Sequence, residues 1–147
     1  MNNESVLKSN LLIIFSDLEK AIGAYLDGGH TKGETKYIDA YLAATIHALI
    51  DYADKYLDVN DERIKACKYA NNTLKHNDAL ITHQKTEGGF SFPISFPICF
   101  EEIQVVWNYN SEVKTRHKNQ QIAFAKHFAG KPILDTLKPI LKEIEEN

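Results

Sequence analysis

The sequence lacks several short motifs that identify common enzymes and metal proteins. It has no glycine-rich loop of the kind that holds phosphate or a dinucleotide, and no Gly-x-Ser-x-Gly segment that would present a nucleophilic serine. Its only cysteines, Cys67 and Cys99, are far apart and match no metal or redox spacing. We therefore expect two core thiols in a reducing compartment, no bound metal and no cofactor.

Long hydrophobic runs are also missing. No apolar stretch approaches the roughly 18 residues that a membrane helix needs. Glu4, Asp17 and Glu19 interrupt the first helical pattern, whereas a signal peptide has an uninterrupted apolar stretch. The net charge of -3 and the pI near 6.1 create no general attraction to nucleic acid or membranes. We expect a cytoplasmic protein that does not associate with membranes.

The residues that are present predict one domain, 1–147, that is built mainly from helices. The chain has 147 residues, 44% of them hydrophobic, which is enough to form a core. Apolar residues recur every three or four positions, which predicts amphipathic helices. These helices cover 5–26, 34–57, 62–77, 111–129 and a last segment that begins near Pro132. The short linker 28–33 predicts that the first two helices pack antiparallel, and Pro139 should kink or split the last one.

Residues 79–109 have a different pattern. Three segments have strand character, because apolar residues alternate with polar ones or β-formers predominate: 79–83, 88–100 and 102–109. The fold prediction is therefore mainly α, a helical bundle with a small antiparallel β insertion at about 79–109. Its large aromatic residues should pack on the helices or across a two-fold axis, because one loop cannot leave them all exposed: Phe90, Phe92, Phe96 and Trp107.

The segment "KYANNTLKHN" (68–77) contains the most unusual polar pattern. Lys68, Asn72 and His76 are spaced i, i+4, so they form one row on a helix. This row offers donors to a phosphate, and a histidine exchanges protons near neutral pH, so the three are candidate catalytic residues. Asn71 falls on the stripe that should be core, and we expect it to face inward. The alternative is that both asparagines are structural and tie the helix to the β insertion.

A second candidate site contains other histidines. His47 and Asp51 are also spaced i, i+4 and could begin a metal or small-molecule site, with His83 as a further member. The alternative is a polar pair on a helix face, because no HExxH-like partner accompanies the two residues.

The same "KYANNTLKHN" helix resembles the conserved-type helix of the HEPN superfamily. These proteins are small α-helical bundles of bacterial toxin–antitoxin and phage-defence systems, and their ribonuclease members pair an arginine with a histidine. His76 and Asn72 stand where that motif would, but the arginine is absent, and the basic residue nearest to its expected position is Lys68, with seven residues between it and His76. The resemblance implies a catalytically degenerate bundle that binds a protein partner or its own copy as a homodimer. The alternative it leaves open is a metal-independent ribonuclease on single-stranded RNA that uses His76, Asn72 and Lys68.

Overall fold

The computed structural model describes residues 3–27, 32–75, 81–91, 97–108 and 118–147, with the side chains of 32–35, 75, 81–91 and 97–103 excepted. The helices are α1 (Asn3–Asp27), α2 (Lys32–Tyr56), α3 (Glu62–Lys75), α4 (Lys118–His127) and α5 (Ile133–Glu146). The strands are β1 (Ile81–Ser91) and β2 (Pro97–Trp107), which lie between α3 and α4. The predicted class, a helical bundle with a small antiparallel β insertion, is confirmed.

The first two helices form an antiparallel pair, as predicted. The buried residues of α1 follow one another at steps of four and three, so they form one face: Leu11, Phe15, Leu18, Ile22 and Tyr25. The pair is also tied at one end, because the buried Tyr52 near the end of α2 donates from its hydroxyl to Glu4 Oε1 at 3.1 Å near the start of α1. Burial, followed by this bond, raises the pKa of Tyr52.

The β insertion contains two described strands rather than the three that the sequence pattern suggested. Ile81 pairs with Trp107 at one end and Ser91 with Pro97 at the other, in continuous antiparallel register. The segments 79–83 and 88–100 are therefore not separate strands, because β1 runs through both 81–83 and 88–91. Pro97 stands at the first position of β2, where a residue without an N–H is tolerated.

The end of β2 is attached to the turn between α4 and α5. The backbone N–H of Trp107 donates to the carbonyl of Lys131 at 3.0 Å, and the N–H of Gly130 donates to the carbonyl of Trp107 at 2.8 Å. Val106 also forms an isolated bridge with Pro132. Gly130 has a φ of 75°, a left-handed conformation that glycine adopts without strain.

The ring of Trp107 lies at the centre of an aromatic cluster. It is fully buried and stacks on Phe128 with ring centroids 5.1 Å apart, while Phe124 meets it edge-on at 5.8 Å. Its Nε1–H donates to Thr136 Oγ1 at 2.7 Å. The prediction that Trp107 packs on the helices is confirmed.

The other aromatic residues of that prediction lie outside what the structure describes. Phe92 and Phe96 are outside the described residues, and the side chain of Phe90 is outside them too. Their packing on the helices or across a two-fold axis stays a prediction.

The structure of the last helix excludes one of the two effects expected of Pro139, which were a kink or a split. α5 is unbroken from Ile133 to Glu146 with Pro139 inside it, so the proline does not split it. Buried side chains on both sides of the proline hold the helix to the core: Ile133, Leu137, Ile140, Leu141 and Ile144. Pro132 precedes the helix at the N-cap, which agrees with a last segment that begins near this residue. None of the helices in the described ranges has the length and apolar character of a membrane span.

Candidate functional site

The two described residues of the predicted catalytic row contact different neighbouring helices. Lys68 Nζ lies 3.1 Å from Asp54 Oδ1 on α2, where the two groups form an ion pair. Asn72 Nδ2 donates to Gln120 Oε1 on α4 at 3.5 Å. His76 lies outside the described residues. Two of the three candidates thus make contacts that hold α3 to its neighbouring helices, and neither contact requires a ligand.

The core position on α3 is occupied by Ala70 and not by Asn71. Ala70 is fully buried, whereas Asn71 is only partly buried, so Ala70 is the core residue at this point of the stripe. The buried face of α3 also includes Ala66 and Cys67, and an Ala66–Ala70 row of small side chains at i, i+4 allows close helix approach. Asn71 therefore lies at the edge of the packed face.

The second predicted site is an exposed pair. His47 Nε2 and Asp51 Oδ2 are 3.5 Å apart, with side chains that are 60% and 52% exposed. The side chain of His83 lies outside the described ones. Across the ranges that the structure describes, no group of three or more histidine, cysteine, aspartate or glutamate side chains is placed to hold a metal ion. The geometry of the pair is that of an ordinary surface contact on α2.

A charged cluster that the sequence reasoning did not assemble lies at the start of α3. Asp61 is the N-cap, because its Oδ1 accepts from the backbone N–H of Arg63 at 2.9 Å. The guanidinium of Arg63 donates to both carboxylate oxygens of Glu143 on α5, at 3.2 and 2.7 Å, and to Asp61 Oδ2 at 3.2 Å. Its hydrogen bonds to these carboxylates raise the pKa of Arg63, and the bond to Arg63 lowers the pKa of Asp61.

The cluster continues onto the end of α4. Glu62 Oε2 lies 2.5 Å from His127 Nε2 and 3.5 Å from Lys126 Nζ. The bond with His127 lowers the pKa of Glu62. An acidic residue in the first turn of α3 and basic residues in the last turn of α4 suit both helix dipoles. The cluster therefore fixes where α3, α4 and α5 meet.

A shallow groove of about 280 Å³ runs between α3 and α4 beside this cluster. Its walls are mostly polar or charged: Glu62, Lys65, Asn119, Ile122, Ala123 and Lys126. This lining includes no hydroxyl or thiol nucleophile. The nearby Cys67 is fully buried, as predicted, and burial raises the pKa of its thiol, which suppresses the reactive thiolate. The side chain of Cys99 is not among those described.

Individual residues of the cluster were recognisable in the sequence, but their assembly into one cluster was not. Asp61 and Glu62 are recognisable as helix-start residues, and the basic segment that contains Lys126 and His127 is visible in the sequence. Their meeting depends on the end of α4 packing against the start of α3, which no local spacing specifies.

Comparison of the chain with protein-family models, with curated proteins and with solved structures returned no match. The HEPN resemblance of the helix 68–77 therefore stays a prediction.

We expect the contribution of the Asp61 cap to the free energy of unfolding to depend on pH. Asp61→Ala should lower the free energy of unfolding by about 1 kcal/mol at neutral pH, because the cap and the charge are both lost. Asp61→Asn keeps the cap and loses only the ion pair with Arg63, a smaller effect of under about 1 kcal/mol. Since the folded pKa of Asp61 is below its ordinary value, this electrostatic contribution is complete above that ordinary value and disappears as the pH falls through the folded pKa.

Urea unfolding of the wild type, Asp61→Ala and Asp61→Asn at pH 7 and near pH 2.5 measures both contributions. The wild type and Asp61→Asn should converge at the lower pH. A difference between these two proteins that is the same at both pH values would contradict the assignment.

Proposed function

We propose that this protein is a catalytically degenerate, HEPN-like bundle that acts by binding a protein surface, either a partner or its own copy. By its resemblance, its setting would be a bacterial toxin–antitoxin or phage-defence system. The observation that carries the proposal is the ion pair of Lys68 with Asp54, because Lys68 is the basic residue nearest to the position where the resemblance would place the arginine, with seven residues between it and His76. A cation that is neutralised by a carboxylate is a poor partner for a phosphate.

The only arginine that precedes His76 in the sequence, Arg63, supports the same proposal. Its guanidinium is held by Glu143 and Asp61, and it lies twelve intervening residues before His76. A planar guanidinium binds the charge that grows on a phosphate in two places, which a lysine cannot reproduce. Loss of one such contact typically reduces a reaction rate by a factor of about 10² to 10³.

The purified protein should therefore not cleave single-stranded RNA, with or without EDTA. A fluorescently labelled RNA of mixed sequence is incubated with the protein, with His76→Ala and with a mock purification from cells that lack the protein. Equal background in all three samples is the expected result.

Cleavage by the wild type that His76→Ala abolishes would contradict the proposal and support the metal-independent ribonuclease, with His76, Asn72 and Lys68 as its residues. Cleavage that is equal in the mock sample comes from a contaminant and leaves the binding role standing.

A further inference from the structure

The outward face of α1 carries the most exposed aliphatic side chain among the described residues. Ile13 is 63% exposed, and Val6, seven residues earlier, is 40% exposed. Asp17, Lys20 and Ala24 continue the same row at steps of four, three and four from Ile13. Ile13 and Ala24 are eleven residues apart, which is about three full turns, so they point in the same direction.

A hollow of about 290 Å³ opens at the other end of this row, between α1 and α2. Its lining consists of two small side chains, two tyrosines and two charged side chains: Ala21, Ala24, Tyr37, Tyr41, Asp17 and Lys20. Tyr37 is 64% exposed, so the two most exposed large hydrophobic side chains described, Tyr37 and Ile13, lie close to the same row. The face thus has an apolar projection at one end and, at the other, a recess with alanine and tyrosine walls that two charged side chains border.

The two charged residues in the lining of the recess, Asp17 and Lys20, are arranged so that they complement a second copy of the same face. The midpoint between Ile13 and Ala24 coincides with the midpoint between Asp17 and Lys20. A two-fold axis through that midpoint, perpendicular to α1, places Asp17 of each copy opposite Lys20 of the other. The same axis places each Ile13 opposite Ala24 of the other copy, at the recess. Among the described residues, neither Asp17 nor Lys20 has an ion-pair partner within its own chain.

We infer that this face of α1, defined by Ile13, Asp17, Lys20 and Ala24 with Tyr37 beside it, is an isologous interface for a second copy of the chain. The inference rests on the proposed binding role and names its partner and surface. In the dimer, α1 packs antiparallel on its copy, Ile13 enters the recess, and two identical ion pairs flank the axis. The contact covers only one helix face. We therefore expect it to bury less area than the roughly 800 Å² per partner of a standard stable interface. Association should therefore be weak and concentration-dependent.

Charge reversal tests the pairing directly. Asp17→Lys gives a copy with two lysines at the axis, and Lys20→Asp gives a copy with two aspartates there. Each variant alone should dimerise at least about tenfold more weakly than the wild type, because both ion pairs become like-charge contacts. An equimolar mixture of the two variants should form a heterodimer, because every lysine then faces an aspartate. Sedimentation velocity over a micromolar-to-millimolar concentration series measures all four samples.

A second pair of variants tests the apolar contact with a matched control. Ile13→Asp should abolish the dimer, whereas Ile122→Asp should not, although Ile122 is a similarly exposed isoleucine (55%) on α4. Both positions are open to solvent, so both variants should keep the circular dichroism and melting temperature of the wild type.

The outcomes separate this interface from the proposed function. The proposed interface is wrong if the wild type is monomeric at every concentration. It is also wrong if the dimer forms equally well with the substitutions at Ile13, Asp17 and Lys20. Failure of the mixed charge variants to associate while both remain folded also overturns it. None of these results affects the RNA-cleavage measurement, and cleavage that depends on His76 would overturn the binding role whether or not the chain dimerises.

Discussion

Trp107→Ala should lower the free energy of unfolding by about 3–5 kcal/mol. The side chain is fully buried, stacks on Phe128 and donates its Nε1–H to Thr136. Truncation removes the ring contacts, leaves a cavity among Phe124, Phe128 and α5, and takes away the donor of the Thr136 hydroxyl. Urea unfolding monitored by far-ultraviolet circular dichroism measures the loss, because the chain's only tryptophan is the one that is removed.

Two more conservative substitutions distinguish the contribution of the ring packing from that of the hydrogen bond. Trp107→Phe keeps an aromatic ring beside Phe128 and should cost less than Trp107→Ala. Thr136→Val removes the acceptor and leaves the buried Nε1–H unpaired, at a cost of about 1–3 kcal/mol. A Trp107→Ala protein within about 1 kcal/mol of the wild type would contradict the central place of this residue, since full burial of so large a side chain does not allow so small a loss.

The helices were predictable because their signal is local. In α1 the steps between Leu11, Phe15, Leu18 and Ile22 already define the buried face, and the structure buries those four side chains. The short linker after α1 likewise constrains α2 to return antiparallel. Asn71 shows the limit of this signal, because Cys67 predicts a buried neighbour three or four residues later without deciding between Ala70 and Asn71. Packing favoured the smaller, apolar side chain.

The β insertion was predictable as a region and not as a set of strands. Alternation identifies a strand but does not show where it pairs, and the register from Ile81 with Trp107 to Ser91 with Pro97 is set by contacts distant in sequence. The attachment of the end of β2 also depends on residues distant in sequence. The backbone of Trp107 is hydrogen-bonded to the backbone of Lys131 and Gly130, in a turn more than twenty residues later.

The candidate site shows the same division between local and distant information. Spacing placed Lys68 and Asn72 on one row of α3, but their partners, Asp54 and Gln120, come from α2 and α4. An i, i+4 row indicates which residues share a helix face and leaves open whether a ligand or another helix lies opposite them. The proposed α1 interface differs because its complementarity lies within one helix, where the positions of Ile13, Asp17, Lys20 and Ala24 follow from helix geometry alone.

Pro139→Ala should raise the free energy of unfolding by about 2 kcal/mol. Pro139 is exposed and lies in the middle of α5, so alanine loses little burial and restores the backbone N–H that bonds to the carbonyl of Asp135. Alanine is about 3 kcal/mol more favourable than proline inside a helix. The more flexible unfolded chain of the alanine variant offsets about 0.4–1 kcal/mol of this gain.

Lys142→Ala is the matched control, because Lys142 is also exposed on α5, one turn after Pro139, and its substitution should change stability by no more than about 0.5 kcal/mol. Urea unfolding of both variants and the wild type, at one pH and one salt concentration, gives the comparison. If Pro139→Ala is neutral or destabilising while Lys142→Ala is neutral, then α5 gains something from the proline that a regular helix would lose, such as a bend that lets Leu137 and Ile140 both reach the core. A gain confined to Pro139→Ala would instead mean that the buried stripe alone holds α5 in place and that the proline only weakens it.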